Sequence, residues 1–315
     1  MMTLNLADAS TEYFKDKDLK KDDVITYMSW VKKQPHLPKI NGDGTLAELQ
    51  AILFLQSCYY RNEAAKAAID NFFTVKTHCP EFFRERNATV KTVKAALDVC
   101  VFATLPKKTP EGYTIFFMEI MDTNPNKFIL ADILKCLDMT CLLHLHQKGT
   151  SSGHVIIFDM TGAVLGHMAR LGPLTIKKFL YYLQEAMPVR LKGLHFFNIV
   201  PFMDKIFALM RPFMKKELMS KFYMHNSVND LVNFIPRDCL PSDYRGTSDS
   251  ASVLQGTSDS ASVLHEQMKK KLRDNLPFFA WEEKQTVDES ARPGKPKSLN
   301  DIFGVEGTFK KLELD

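Results

Sequence analysis

The texture of the chain changes near residue 91, and that change limits the fold more than any other feature. Before it, apolar residues recur at helical spacing: Leu49, Ile52, Leu53 and Leu55, then Ala64, Ala67, Ile69 and Phe72–Phe73. Thr45-Leu-Ala-Glu48 spells a capping box ahead of the first run. Residues 10–90 are therefore expected to form an all-helical module. After it, Tyr113–Met118, His154–Phe158 and Gly193–Phe197 read as strands, separated by helices over Lys127–His146 and Leu174–Glu185. Strands that alternate with helices pack as a mixed α/β layer, which is the expectation for residues 91–245.

Several function classes are excluded early. With 41 basic and 37 acidic residues the net charge is +4, too balanced for a nucleic-acid binder that works by phosphate neutralisation. The best candidate for a membrane span, Gly193–Met214, contains Asp204, Lys205 and Arg211, so membrane contact is expected to be peripheral. Met1–Asp8 has neither the basic nor the apolar region of a secretory leader, which makes the cytosol the expected compartment. The cysteines at 58, 79, 100, 136, 141 and 239 form no C-x-x-C and read as reduced, buried small hydrophobes.

Chemical motifs are weak. Gly149-Thr-Ser-Ser-Gly153 spells G-x-S-x-G, but a nucleophile elbow needs a strand before the serine and a helix after it, and here the order is reversed. His144 and His146 lie two apart on a helix and so point to different faces, which argues against a shared metal ion. No P-loop, dinucleotide fingerprint or H-E-x-x-H is present. The expectation is a protein with no catalytic residues, no metal and no cofactor.

Residues 246–265 hold a ten-residue duplication, Gly246–Gln255 and Gly256–His265, whose Ser/Gly/Asp content reads as a surface loop. Residues 266–315 follow as a C-terminal helix and tail. Lys269, Lys270, Lys271 and Arg273 there are either a solvated helix face or a binding patch.

Apolar surface, by contrast, is in excess. In the helix from Lys127, Phe128, Leu130, Ile133, Leu134, Leu137, Cys141 and Leu145 cover more than one stripe and require two layers of apolar neighbours. In Pro201–Arg211, Phe202, Ile206 and Leu209 point one way and Met203, Phe207 and Met210 roughly 90° away, a wider arc than an ordinary surface helix carries. Two readings stay open: a helix wedged in the core, or a lid over an apolar cavity with methionines as adaptable contacts.

The ordered series Gly153–Asp159, Thr161-Gly162, His167, Pro173, Lys177-Lys178, Pro188–Lys192, His195, Asn198, Pro201-Phe202, Arg211–Met214, His225 and Leu240–Tyr244 resembles the CRAL-TRIO lipid-binding family. Residues 10–90 resemble its helical N-terminal module. Arg292–Lys297, Phe303–Gly307 and Leu312 resemble the tail of insect α-tocopherol-transfer-protein-like chains. The resemblance implies a small mixed sheet flooring an apolar lipid cavity closed by a gate helix. It implies Ile133, Cys136, Thr140, His154, Phe158, Phe179, Tyr182, Leu183, Leu194, Ile206 and Leu209 as pocket residues, and a gate over Pro201–Met210. Phe202, Met203, Phe207 and Met210 are its gate and membrane residues, with Met203, Phe207 and Met210 turned to the bilayer. The branch binds phosphoinositides through basic residues matched by Arg190, Lys192 and Lys221, whereas Glu217, Gln56, Ser57 and Cys58 depart from that pattern. His154 replaces an aliphatic side chain, and Arg245 a glycine.

The expected function is binding and transfer of one small lipophilic ligand between membranes by a monomer that visits an anionic surface transiently. Tocopherol-, retinoid- and carotenoid-like lipids all fit, with a hydroxyl contact from Cys136, Thr140, Tyr182 or His154. The alternative is a phosphoinositide-dependent scaffold whose cavity is incidental.

Overall fold

The computed structural model describes residues 6–39, 47–244 and 259–304. Helices α1 (Ala9–Lys15), α2 (Lys21–Lys32), α3 (Glu48–Ser57), α4 (Asn62–His78) and α5 (Pro80–Phe83) open the chain, and α6 (Lys91–Val99) leads into the sheet. In α4, Ala65, Ile69, Phe72, Phe73 and Lys76 recur at spacings of three and four towards the core, and from Phe72 to Lys76 the helix is buried on every side. Tyr27 of α2 ties onto that helix by donating to the Ala65 carbonyl at 2.8 Å. Thr45 lies outside the described residues, and α3 begins after Ala47 with no side-chain cap.

Among the described residues five strands follow in spatial order: β1 (Cys100–Thr104), β2 (Tyr113–Ile120), β3 (Gly153–Asp159), β4 (Leu191–Phe197) and β5 (Phe222–Met224). β1 runs antiparallel to β2, and the remaining pairs are parallel. The parallel crossovers carry α7 (Leu130–Lys148), α8 (Leu165–Met168) with α9 (Pro173–Glu185), and α10 (Met203–Met210) with α11 (Lys216–Met219). α12 (Val228–Leu231), α13 (Ala261–Asp274), α14 (Leu276–Glu283) and α15 (Leu299–Phe303) complete the described chain. The expected mixed α/β architecture is present. β1 follows α6 with no breaker between them and β5 has three residues, so neither left a local signal in the sequence.

Strand alternation divides the core. Ile156, Phe158, Leu194 and Phe196 face the layer holding α7 and α9, while Val155, Ile157 and Phe197 face a second cluster with Leu231, Ile235, Leu240 and Leu264. Gly193 is required on β4 because a Cβ there would sit 2.2 Å from the His195 ring.

The duplicated segment is not all surface loop. Residues 245–258, and the tail from 305 on, lie outside the described residues, but within the second copy Ser260 caps α13, accepting from the Val263 amide at 3.3 Å. Ala261, Leu264 and His265 are buried. His265 Nδ1 accepts the Phe102 amide at 3.1 Å and Nε2 donates to the Leu97 carbonyl at 2.7 Å, so the end of the repeat closes the free edge of β1.

A buried ionic group joins the two ends of the chain. Arg86 meets Asp138 at 2.7 Å and Glu282 at 3.5 Å, Lys76 pairs with Glu282, and Tyr182 donates to Asp138 at 2.7 Å. Burial pushes the Glu282 carboxyl up, yet Arg86 and Lys76 outweigh it and hold that group below its ordinary value.

Candidate functional site

Between the sheet and α7, α9 and α10 lies a cavity of about 150 Å³. β2, β3 and β4 floor it with Met118, Ile120, Ile156, Phe158, Leu194 and Phe196. Ile133, Leu134 and Leu137 of α7 form one wall, and Ile176, Phe179, Leu180 and Leu183 of α9 another. Both helices place these residues at spacings of three and four, so the sheet and the helices bury complementary apolar faces. Phe202, Ile206 and Met210, at i, i+4 and i+8, close the top. Phe128, Ala163, His167, Met168 and Leu171 close the end near α8.

Of the sequence candidates, Ile133, Phe158, Phe179, Leu183, Leu194 and Ile206 come together on the lining. Cys136, Thr140, His154, Tyr182 and Leu209 do not. Cys136 Sγ donates to the Val93 carbonyl at 3.9 Å and Thr140 Oγ1 to the Cys136 carbonyl at 2.9 Å. Tyr182 is fully buried with its hydroxyl on Asp138. The His154 ring stacks on Phe116 with centroids 5.9 Å apart, and burial lowers its pKa to about 3.

Helix α10 is turned about its axis relative to expectation. Met210 lines the cavity and Leu209 does not, while Met203 is packed into the large core, 2% exposed. Phe207 rests on Phe222 at 4.9 Å. Pro201 lies in a turn ahead of α10. Met118, Ile156 and Phe196 were missed as lining, although Ile156 and Phe196 share a strand face with Phe158 and Leu194 and Met118 pairs with Phe158 across the sheet. His167 was missed as well, and only its place in a motif marked it.

A second, polar cleft lies beside α3 and β4, lined among others by Tyr59, Arg61, Arg190, Lys215, Glu217 and Lys221. Arg190 stacks over Tyr59 at 4.5 Å and its Nε donates to the Gln56 carbonyl at 2.5 Å. Lys192 reaches the Tyr59 hydroxyl at 3.0 Å. Burial raises the Tyr59 phenol, but Lys192, Lys221 and Arg190 together bring it below its ordinary value. The Gln56 backbone thus holds Arg190, while the Gln56 side chain donates to the Ser151 carbonyl at 2.8 Å.

Ser151 of the G-x-S-x-G spelling is buried, its hydroxyl within 3.1 Å of Gly112 O, Gly153 O and Thr114 Oγ1. Among the described residues no group of three or more His, Cys, Asp or Glu could hold a metal ion. No helix among them is long and apolar enough to cross a membrane.

Residues 99–246 match the CRAL/TRIO domain and residues 12–93 the Pinta-like UBA domain. The chain is 26% identical over 258 residues to a mouse protein named alpha-tocopherol transfer protein-like, covering 80% of this chain and 73% of that one. It is 23% identical over 196 residues to Clavesin-1 of Xenopus laevis, covering 62% and 59% respectively. The structure of Sfh5 aligns with a TM-score of 0.43 at 11% identity, over 84% of this chain and 98% of that one.

Proposed function

From the premise that this chain carries a CRAL/TRIO domain over residues 99–246, we propose that it binds one lipophilic molecule and transfers it between membranes. The observation that carries this reading is the cavity, whose lining is apolar except for Asp159 and His167. Each methylene a ligand buries there contributes about 0.8 kcal/mol, so an extended lipid gains affinity without chemistry on the protein. At about 150 Å³ the space is smaller than the range of ~300–1,000 Å³ usual for small-molecule sites. Loading a lipid therefore requires α10 to swing out and withdraw Phe202, Ile206 and Met210.

The bilayer is the environment that favours the open form. Ile129, Val164 and Leu165 are exposed apolar side chains next to lining residues Phe128, Ala163 and Met168, and they would enter the interface as the gate opens. The cleft holding Arg190 and Lys221 would receive an anionic headgroup, with Tyr59 as its aromatic wall and Lys192 on the Tyr59 hydroxyl.

One experiment separates a carrier from a membrane-recruited scaffold. Purified parent protein, Leu194→Trp and the pair Lys192→Gln/Lys221→Gln are incubated with phosphatidylcholine vesicles containing a phosphoinositide, then assayed by native mass spectrometry and by vesicle flotation. A carrier loses bound lipid in Leu194→Trp and floats normally, while the lysine pair floats less and keeps its lipid. If Leu194→Trp retains stoichiometric lipid, the cavity is not the binding site.

A further inference from the structure

We infer that His167 is the polar contact of this cavity and that its Nε2–H donates to a neutral oxygen of the carried lipophile: a carbonyl, ether or hydroxyl. This rests on the carrier reading above and names the ligand chemistry it requires.

Elimination leads to His167. The four side chains that sequence offered for a polar contact are off the lining, and three of them already have partners: Tyr182 on Asp138, Thr140 on the Cys136 carbonyl and Cys136 on the Val93 carbonyl. The fourth, His154, has two unpartnered nitrogens but is stacked against Phe116 away from the cavity. Asp159 does line it. Its Oδ1 accepts from the Thr161 amide at 2.8 Å, the Thr161 hydroxyl at 2.7 Å and Asn198 at 3.0 Å, and its Oδ2 accepts from Tyr244 at 2.6 Å.

His167 has capacity left. Its ring lines the cavity and is buried, 4% exposed, with Phe128 edge-on at 5.1 Å. Nδ1 accepts the Val164 amide at 3.0 Å, so in the neutral ring the proton sits on Nε2. Burial lowers the pKa of this histidine, which keeps that neutral tautomer at physiological pH. Nε2 is buried with no hydrogen-bond partner. A buried unpaired N–H is costly, and a ligand oxygen in the cavity satisfies it. A fatty-acid carboxylate fits poorly, because it would share the lining with Asp159, an acceptor that already carries the bonds above.

The test uses a matched pair of probes, 2-undecanone and n-undecane, with the parent protein and His167→Asn. Asparagine keeps the turn: Asp230 and Asp301, at the equivalent helix position, accept the capping amides of Ser227 and Ser298 at 3.0 and 2.9 Å. Headspace partitioning should show the ketone-to-alkane affinity ratio falling about three- to tenfold in the variant, the effect of one net hydrogen bond, with alkane affinity unchanged. The infrared carbonyl stretch of ketone bound to the parent should lie below its value in hydrocarbon and return to it in His167→Asn. A hydrocarbon-like stretch in the parent, or an unchanged ratio, overturns the role of His167 and leaves the carrier standing. If neither probe binds the parent, the carrier reading falls and this inference with it.

Discussion

His154 shows how a single buried side chain sets the response to acid. Burial lowers its pKa to about 3, as it does for His144 at about 3 and His146 at about 4. The unfolded chain takes up protons near 6.5 while these rings stay neutral in the fold, so stability is lost as pH falls from about 6.5 towards 4. Each contributes a slope of about 1.4 kcal/mol per pH unit in that window. Because neither nitrogen of His154 has a partner, His154→Phe should unfold in urea at pH 7 within about 1 kcal/mol of the parent. Between pH 6 and 4.5 its loss of stability should be shallower by one such slope; an unchanged pH profile would mean that the ring is solvated. Other residues were legible to different degrees. Phe158 and Leu194 were found by matching, and strand alternation then delivers Ile156 and Phe196. The Tyr182 hydroxyl was not recoverable, since its partner Asp138 lies on another helix, 44 residues away.

α10 and α13 mark where pattern reading stops at the scale of an element. The apolar arc of α10 is wide enough that either edge could face inward, and its packing on α9, with Phe207 on Phe222 of β5, leaves Met210 rather than Leu209 on the cavity. For α13, composition suggested a loop because Ser, Gly and Asp dominate the repeat, yet one capping serine and the Ala261, Leu264, His265 face start a helix. Replacing His265 by Ala should cost about 1–3 kcal/mol in urea unfolding, because the Phe102 amide and Leu97 carbonyl lose their partner. Deleting Gly256–His265 should be milder than that. The remaining copy supplies the same residues up to Gln255, which stands where His265 was and can also donate and accept. A deletion that destabilises more than His265→Ala would show that the length of the segment matters and not its final residue.

For the molecule as a whole, the buried ionic group does what no local contact can, because it links the helical N-terminal module through Lys76 and Arg86 to the cavity walls through Asp138 and Tyr182, and to α14 through Glu282. Glu282→Gln leaves two buried cations short of charge and should cost about 3–5 kcal/mol, measured as a shifted but still cooperative melt. A chain ending at Asn275 should show no cooperative melt at all; one that melts near the parent temperature would make α14 an appendage. The same linkage has a consequence for synthesis. Lys76 and its partner Glu282 are 206 residues apart, so at the usual elongation rate of ~5–20 residues per second the cation is made about 10–40 s before its counterion. Arg86 can meet Asp138 once α7 is made, but until α14 follows the Lys76 ammonium lacks its carboxylate and cannot be buried beside the apolar walls. The buried ionic group therefore closes only after α14 has been made, and until then the growing polypeptide is a natural client for a chaperone.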